Sequence, residues 1–246
     1  MPPSDGSAPA RNRLVFVHGA GGTSHGWDLQ RLAFPNGMAV DLPGRGGSGP
    51  ARRRIEEYAA WLHDTPHQFG QLPAVLVGHS MGGAIALAFA LAYPGEASGI
   101  VLVATGARLR VDPAILGGLA ADYAPAVEGI VTRSLAPDAD PRLARRLKEA
   151  MMAVPQDVTL GDFQACDAFD VMQRLEEIRA PALVIAGRED RMTPPRYSEF
   201  LHAHLRASHL VWIEGAGHMV HVERPREVNE AIQRFLRGVG TDAAQE

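Results

Sequence analysis

Residues 78–83 read GHSMGG and decide the predicted fold of this chain. They follow an apolar run at residues 74–77, AVLV, and precede a longer one at residues 84–93, AIALAFALAY. The first run is typical of a parallel strand buried on both faces, and the second of a helix without a solvent-exposed face. Gly78 and Gly82 bracket Ser80 in a G-x-S-x-G pattern, in which absent side chains permit a sharp turn that exposes the serine hydroxyl. Ser80 is therefore a candidate nucleophile.

The predicted helix begins at Met81, directly after this serine. Its unpaired backbone N–H groups and the positive end of its dipole face any anion that forms on Ser80. The alternative is a glycine-rich turn in which Ser80 only caps the helix. The strand before the turn and the apolar helix after it favour the catalytic interpretation.

The same alternation of strand and helix extends through most of the chain. Apolar runs at residues 14–17, 38–41, 100–104, 182–186 and 209–213 predict further strands, and the stretches between most of them predict helices. This order is typical of right-handed βαβ units. We expect an α/β fold with a mostly parallel sheet of about six strands and helices on both faces. One predicted helix, from Ile55 to Phe69, contains Pro66, which is expected to bend it or end it early.

Residues 112–175 interrupt the alternation, because they carry helix signals only. Pro141 marks one helix start, and arginines at 142, 145 and 146 lie mostly on its predicted solvent-exposed side. We expect residues 1–111 and 176–246 to form one α/β core, and residues 112–175 to form an all-helical cap inserted into it. At 246 residues and 46% hydrophobic content, the chain can bury a single sizeable core.

Charge and cysteine content restrict the possible partners. A net charge of -4 provides no basic surface for nucleic acid or anionic lipid, and no run of about 18 apolar residues predicts a membrane span. Cys166 is the single cysteine, so neither an intrachain disulfide nor a thiolate metal cluster is possible. The first nine residues lack the apolar core of a signal peptide. We expect a cytoplasmic protein without nucleic-acid or membrane partners; the oligomeric state is not indicated.

Three further polar features follow predicted strands. Asp190 stands just past the run at residues 182–186, and His218 lies in a glycine-bordered loop after the last strand. Doubly wound sheets place their sites at this edge. A glycine-rich loop at residues 18–24 follows the first strand, and its backbone N–H groups are candidates for the second half of an anion site. His18 is expected to brace this loop rather than to react.

Two patterns suggest cofactors or metals but lack the required context. Residues 44–49 fit G-x-G-x-x-G, yet Pro50 and three arginines follow where a dinucleotide site needs a helix. His218 and His221 are three residues apart, but no third ligand accompanies them. We expect neither a cofactor nor a metal.

Together these motifs resemble the α/β-hydrolase family nearly end to end. The matching segments are residues 18–19, 41–48, 78–83, 187–190 and 217–218, and Ser…Asp…His is the family's chain order. One difference is that only thirteen residues precede the first strand, whereas family members commonly begin with an antiparallel hairpin.

The resemblance implies a serine hydrolase mechanism. Ser80 would attack a carbonyl, His218 would take its proton, and Asp190 would fix the imidazole tautomer. Backbone N–H groups of Met81 and Ala20 would hold the oxyanion. His79 would pack beneath the turn.

The substrate expected is a small, largely apolar carboxylic ester. Alternatives are an enol-lactone or carbon–carbon bond hydrolase, or a ligand receptor or signalling protein that keeps the triad with little turnover. Met151, Phe169 and Met172 are the cap residues expected to bind substrate, although apolar cap residues can equally pack cap helices together. The other cap residues expected to face inward are Leu116, Leu119, Val127, Ile130, Leu135 and Phe163.

Overall fold

The computed structural model of the chain describes residues 13–65 and 72–242, and for residues 240–242 the backbone only. Six strands form one sheet in the order β2-β1-β3-β4-β5-β6, and every neighbouring pair is parallel. This confirms the predicted fold class. The strands are β1 (Leu14–Val17), β2 (Met38–Val40), β3 (Ala74–His79), β4 (Ala97–Val103), β5 (Ala182–Gly187) and β6 (Ser208–Ile213).

Helices connect these strands, and most of them agree with the sequence pattern. The helices are α1 (Asp28–Ala33), α2 (Ile55–Asp64), α3 (Met81–Ala92), α4 (Pro113–Ala121), α5 (Tyr123–Ser134), α6 (Pro141–Met152), α7 (Gln156–Ala168), α8 (Pro195–His204), α9 (Val220–Glu223) and α10 (Pro225–Asp242). Short 3-10 helices occupy Ser24–Trp27 and Met172–Glu177.

Some predictions concern residues outside the described ranges. The helix predicted from Ile55 to Phe69, with Pro66 bending it or ending it early, ends at Asp64, and residues 66–71 lie outside the described ranges. The hairpin that family members commonly place before the first strand would fall on residues 1–12.

Two apolar clusters cover the two faces of the sheet, because successive strand residues point to opposite sides. Leu76 packs on one face with residues from α2, α3 and α8, and Val77 packs on the other with residues from α10. α3 lies at the centre of the first cluster, and each of its residues from Met81 to Ala90 is buried. The central strand and helix that flank the GHSMGG turn are therefore anchored on all sides.

The four helices α4–α7 lie between β4 and β5 in the chain, as the helix signals predict. Asp112 and Asp140 cap α4 and α6 through their side chains, and a proline follows each of them at the first helical position. The helices share a third apolar cluster that includes Leu119, Ile130 and Phe163. The division of the chain into a core and a cap stays a prediction. Across the residues that the structure describes, no helix combines the length and the apolarity that crossing a membrane requires.

Candidate active site

Ser80 occupies the sharp turn between β3 and α3. Its φ of 52° and ψ of -116° lie outside the common regions, which is a strained backbone for a residue with a side chain. A Cβ at Gly78 would collide with the carbonyl of Gly82, and a Cβ at Gly82 would collide with the carbonyl of Val17. The two glycines of the motif are thus required by backbone packing, which holds the serine in its strained position.

The end of β4 also fixes this turn. The backbone N–H of Ser80 donates to the carbonyl of Val103 at 2.9 Å, and the hydroxyl of Thr105 donates to the carbonyl of Ser80 at 2.7 Å. Thr105 is buried, so its hydroxyl needs such a partner. The sequence analysis did not assign Thr105 a role, because nothing in the local pattern links it to a residue 25 positions away.

Asp190 and His218 meet at the carboxyl ends of β5 and β6. His218 Nδ1 lies 2.9 Å from Asp190 Oδ2, and both side chains are buried. The backbone N–H of His218 donates to the carbonyl of Ser134, at the end of α5, at 2.8 Å. The helical insertion thus helps to hold the histidine loop.

Four hydrogen bonds saturate the carboxylate of Asp190. Its Oδ1 accepts from the backbone N–H groups of Met192 at 2.8 Å and Thr193 at 2.9 Å. Its Oδ2 accepts from the Thr193 hydroxyl at 2.7 Å and from His218. Burial disfavours the charge, but the adjacent His218 and these hydrogen bonds outweigh burial and lower the pKa of Asp190. Because ionised Asp190 accepts from Nδ1–H, this network assigns the His218 proton to Nδ1 and the lone pair to Nε2.

Thr193 is the polar residue nearest to this pair that the sequence analysis missed. Besides its bond to Asp190, its hydroxyl lies 3.2 Å from His218 Nδ1. An aspartate side chain commonly accepts hydrogen bonds from backbone N–H groups two and three residues later in the chain. This tendency of Asp190 could have indicated Thr193 as its neighbour.

One small cavity, of about 130 Å³, brings Ser80 and His218 together. Ala20 from the glycine-rich loop also lines it, and Met81, the other predicted anion-site residue, is the fully buried first residue of α3. The structure therefore places three of the predicted residues, Ser80, His218 and Ala20, around one space, with Asp190 hydrogen-bonded to His218. The remaining lining residues are Leu109, Arg110, Val111, Asp112, Ile115, Arg133, Phe163, Cys166, Arg191, Met192 and Thr193.

His18 and His79 support the site from below, as expected. His18 Nε2 accepts from the backbone N–H of Leu42 at 3.1 Å, so its other nitrogen, Nδ1, donates to the carbonyl of Gly19 at 2.9 Å. Burial, followed by the charge of Arg45, lowers the pKa of His18 to about 3. His79 Nε2 donates to the carbonyl of His218 at 3.0 Å, and burial lowers its pKa as well. Both rings are neutral braces at physiological pH.

A carboxylate on α7, in the helical segment between β4 and β5, holds the glycine-rich loop in place. The backbone N–H of Gly21 donates to Asp162 Oδ2 on α7 at 2.9 Å. Arg45 forms a buried ion pair with the same carboxylate and donates to the carbonyl of Gly22 at 2.6 Å. The Tyr58 hydroxyl donates to Asp162 Oδ1 at 2.8 Å. Asp162, Arg45 and Tyr58, here called the loop anchor, thus fix residues 21 and 22.

Removing one charge from the loop anchor is expected to destabilise the fold strongly. Asp162→Asn leaves the buried guanidinium of Arg45 without a counter-charge, so we expect the free energy of unfolding to fall by about 3–5 kcal/mol. Urea unfolding measures this change. Asp157→Asn, at an exposed position in the first turn of the same helix, is the control and should cost less than about 1 kcal/mol. Equal losses in the two variants would contradict a structural role for the anchor.

The three cap residues predicted to bind substrate are not among those that line this cavity, and their role in substrate binding stays a prediction. Phe169 is 2% exposed and packs in the core cluster beneath α3, because the chain turns back towards the sheet after α7. Met172 lines a different cavity with Tyr197 and Phe200. Met151 packs against Gly21 from outside the cavity that Ser80 lines. Of the residues expected to face inward, Phe163 lines this cavity.

The chain is similar to known proteins along most of its length. Residues 14–231 match the sequence profile described as the alpha/beta hydrolase family. A pimeloyl-[acyl-carrier protein] methyl ester esterase of Neisseria meningitidis (serogroup C) is 31% identical over 94% of this chain and 95% of its own. Among solved structures, a thermophilic esterase is 35% identical with a TM-score of 0.82, covering 92% of this chain and 90% of its own. Est816, described as an N-acyl homoserine lactone degrading enzyme, is 26% identical with a TM-score of 0.80, covering 91% and 93%.

The profile match covers far more than half of the described chain, and the fold and the order of the site residues agree with it. The chain therefore belongs to the alpha/beta hydrolase family.

Proposed function

We propose that the protein is a serine-dependent carboxylic ester hydrolase, in which Ser80 is the nucleophile, His218 the general base and Asp190 the residue that orients the base. The observation that carries this proposal is the buried 2.9 Å hydrogen bond between Asp190 and His218, beside a cavity that Ser80 also lines. A serine, an imidazole and a carboxylate in this relation are the parts that activate a weak oxygen nucleophile.

In the first half-reaction, Ser80 Oγ attacks the carbonyl carbon of the ester while His218 Nε2 takes its proton. The negative charge that forms on the carbonyl oxygen is held by backbone N–H groups of Met81 and Ala20. The carbon–oxygen bond to the alcohol then breaks, and the imidazolium returns the proton to the departing oxygen. Asp190 stabilises the imidazolium throughout, without taking the proton itself.

In the second half-reaction, water attacks the acyl group on Ser80 with the same base. His218 accepts a proton from water, the tetrahedral intermediate collapses, and the proton passes to Ser80 Oγ. The products are a carboxylic acid and the free enzyme. The hydrogen bond between Asp190 and His218 supports this mechanism, since it orients the base before either half-reaction begins.

The strained turn and the loop anchor support the oxyanion part of this proposal. α3 begins at Met81, so its first N–H groups have no partner within the helix and point towards the serine side. Ala20 sits between Gly19, whose close approach to His79 leaves no space for a side chain, and Gly21, which Asp162 fixes. This arrangement supports the proposal that one N–H donor comes from each side of Ser80.

We also propose that residues 112–175 act as a cap over Ser80. In support, Ile115 of α4, Arg133 of α5 and Phe163 of α7 line the cavity together with the serine. The names of the meningococcal relative and of the thermophilic esterase support an ester bond as the target. The name of Est816 makes lactones, which are cyclic esters open to the same attack, a second candidate substrate class.

The kinetics of product release test this proposal. When the wild-type protein is mixed with 4-nitrophenyl butanoate in a stopped-flow instrument, we expect a burst of one equivalent of 4-nitrophenol, followed by steady turnover. A receptor that keeps the same residues would release one equivalent and then stop. A steady rate with neither a burst nor inhibition by a phosphonate would exclude the acyl-enzyme.

A further inference from the structure

The cavity that Ser80 lines carries more positive charge than an apolar ester requires. Three arginines line it, Arg110, Arg133 and Arg191, together with one carboxylate, Asp112. Counting these four side chains gives +3 and -1, a formal charge of +2. We call the three arginines the basic rim, because all three are exposed to solvent.

Two members of the basic rim have carboxylate neighbours, but the pairs are long. Arg133 Nη1 lies 3.5 Å from Asp112 Oδ2, and Arg110 Nη1 lies 4.0 Å from Asp167 Oδ1. The two arginine side chains are 48% and 58% exposed. Exposed pairs at such distances contribute little, and each guanidinium has five N–H donors. Both arginines therefore have donors available for a further anion.

Arg191 has a different environment. Its Nη2 donates to the backbone carbonyls of Thr132 at 2.8 Å and Leu135 at 3.0 Å, at the end of α5. These bonds fix the position of the guanidinium, and carbonyl oxygens do not cancel its full charge. Arg191 also follows Asp190 directly in the chain. The rim thus includes a positioned cation one residue from the catalytic carboxylate.

The interior of the cavity is apolar by contrast. Leu109, Val111, Ile115 and Phe163 line it along with Ser80. An acyl or alcohol chain can therefore lie against apolar side chains, while a charged end reaches the rim. The volume, about 130 Å³, favours a short chain between these two points.

We propose that the basic rim binds an ionised carboxylate on the substrate, so that the enzyme prefers esters that carry a second, anionic carboxyl group. This inference rests on the proposed function, and it revises the expectation of a largely apolar ester. A guanidinium recognises a carboxylate through two parallel N–H···O bonds, which adds selectivity to the charge attraction.

Matched substrates test the proposal. One pair places the charge on the acyl side: the mono-4-nitrophenyl ester of adipic acid and its terminal amide, which has the same size and no charge. A second pair places it on the alcohol side: 3-carboxyphenyl hexanoate and 3-carbamoylphenyl hexanoate. We expect kcat/KM for the carboxylate to exceed that for the amide by about tenfold or more in at least one pair, and the ratio to fall at high salt.

Variants of the basic rim test whether its arginines cause the preference for the carboxylate substrate. Arg133→Gln and Arg110→Gln should each reduce the carboxylate-to-amide ratio by about 3–5-fold. Arg234→Gln removes an exposed arginine that lines a different cavity, one that no arginine of the basic rim lines, and it should keep the wild-type ratio.

Each outcome has a distinct meaning. A ratio near one in both pairs, or a ratio that the rim variants leave unchanged, overturns the inference. If the wild-type protein hydrolyses none of these esters, or if Ser80→Ala hydrolyses them as fast as the wild type, the proposed function is overturned instead. If both esters of a pair are cleaved in a Ser80-dependent reaction at equal rates, the proposed function stands and the basic rim has no role in selection.

Discussion

Ser80→Ala is expected to lower kcat/KM for 4-nitrophenyl esters by about a millionfold, because nucleophile and base act as a unit and losing either removes nearly all of their joint effect. The remaining rate would come from binding and from the backbone N–H groups beside the turn. Steady-state assays with substrates of several chain lengths measure the loss.

The fold of this variant should be unchanged. The turn is held by Gly78, Gly82 and the bonds of the Ser80 backbone to Val103 and Thr105, all of which alanine retains. Circular dichroism and urea unfolding check this point. Thr105→Ser, which keeps the hydroxyl donor beneath the turn, serves as a control that should stay folded and active. A Ser80→Ala protein with a tenth of the wild-type activity would show that another group is the nucleophile.

Asp190→Asn is expected to slow turnover by about ten-thousandfold without unfolding the protein. The reason lies in the hydrogen bonds that the side chain makes. Oδ1 accepts from two backbone N–H groups, so the amide oxygen should occupy that position and the amide NH2 should face His218 Nδ1. Nδ1 must then become an acceptor, and the proton moves to Nε2, where it blocks proton transfer from Ser80.

A matched control separates this tautomer effect from a general loss of negative charge. Glu189→Gln removes the neighbouring, exposed carboxylate and should leave kcat close to the wild-type value. Asp190→Asn that keeps more than a tenth of the activity would move the orienting role to another acid. The end of the neighbouring strand β4 reads Val103-Ala104-Thr105-Gly106-Ala107 and offers no alternative carboxylate.

The parts of the site that follow from local sequence were predictable. Ser80, Asp190 and His218 each follow an apolar strand, and parallel strands bring their carboxyl ends to one edge. The close approach of Gly78 to Gly82 is likewise local in sequence, whereas the contact of Gly82 with Val17 depends on the position of β1 in the sheet. The period of the apolar residues, the spacing of the motifs and the positions of the glycines therefore predict these parts of the site.

The parts that depend on distant pairs were not predictable. Asp162 and Arg45 are 117 positions apart, and each of them alone looks like an ordinary surface residue in the sequence. The positions of Phe169 and Met172 could not be predicted for a related reason, since an apolar side chain fits a helix stripe equally well whether it faces a cavity or the core. The basic rim could not be predicted for the same reason: the arginines are visible in the sequence, but their convergence on one cavity depends on how α5 packs against the segments that follow β4 and β5.

The central claim is that Ser80 is the activated nucleophile, and a fluorophosphonate reagent tests it most directly. After incubation at neutral pH, intact-protein mass spectrometry should show one adduct on the wild type, and peptide mapping should place it on Ser80. Under the same conditions Ser80→Ala should show none, and Asp190→Asn should react far more slowly. An adduct on a different residue, or equal labelling of wild type and Ser80→Ala, would contradict the account.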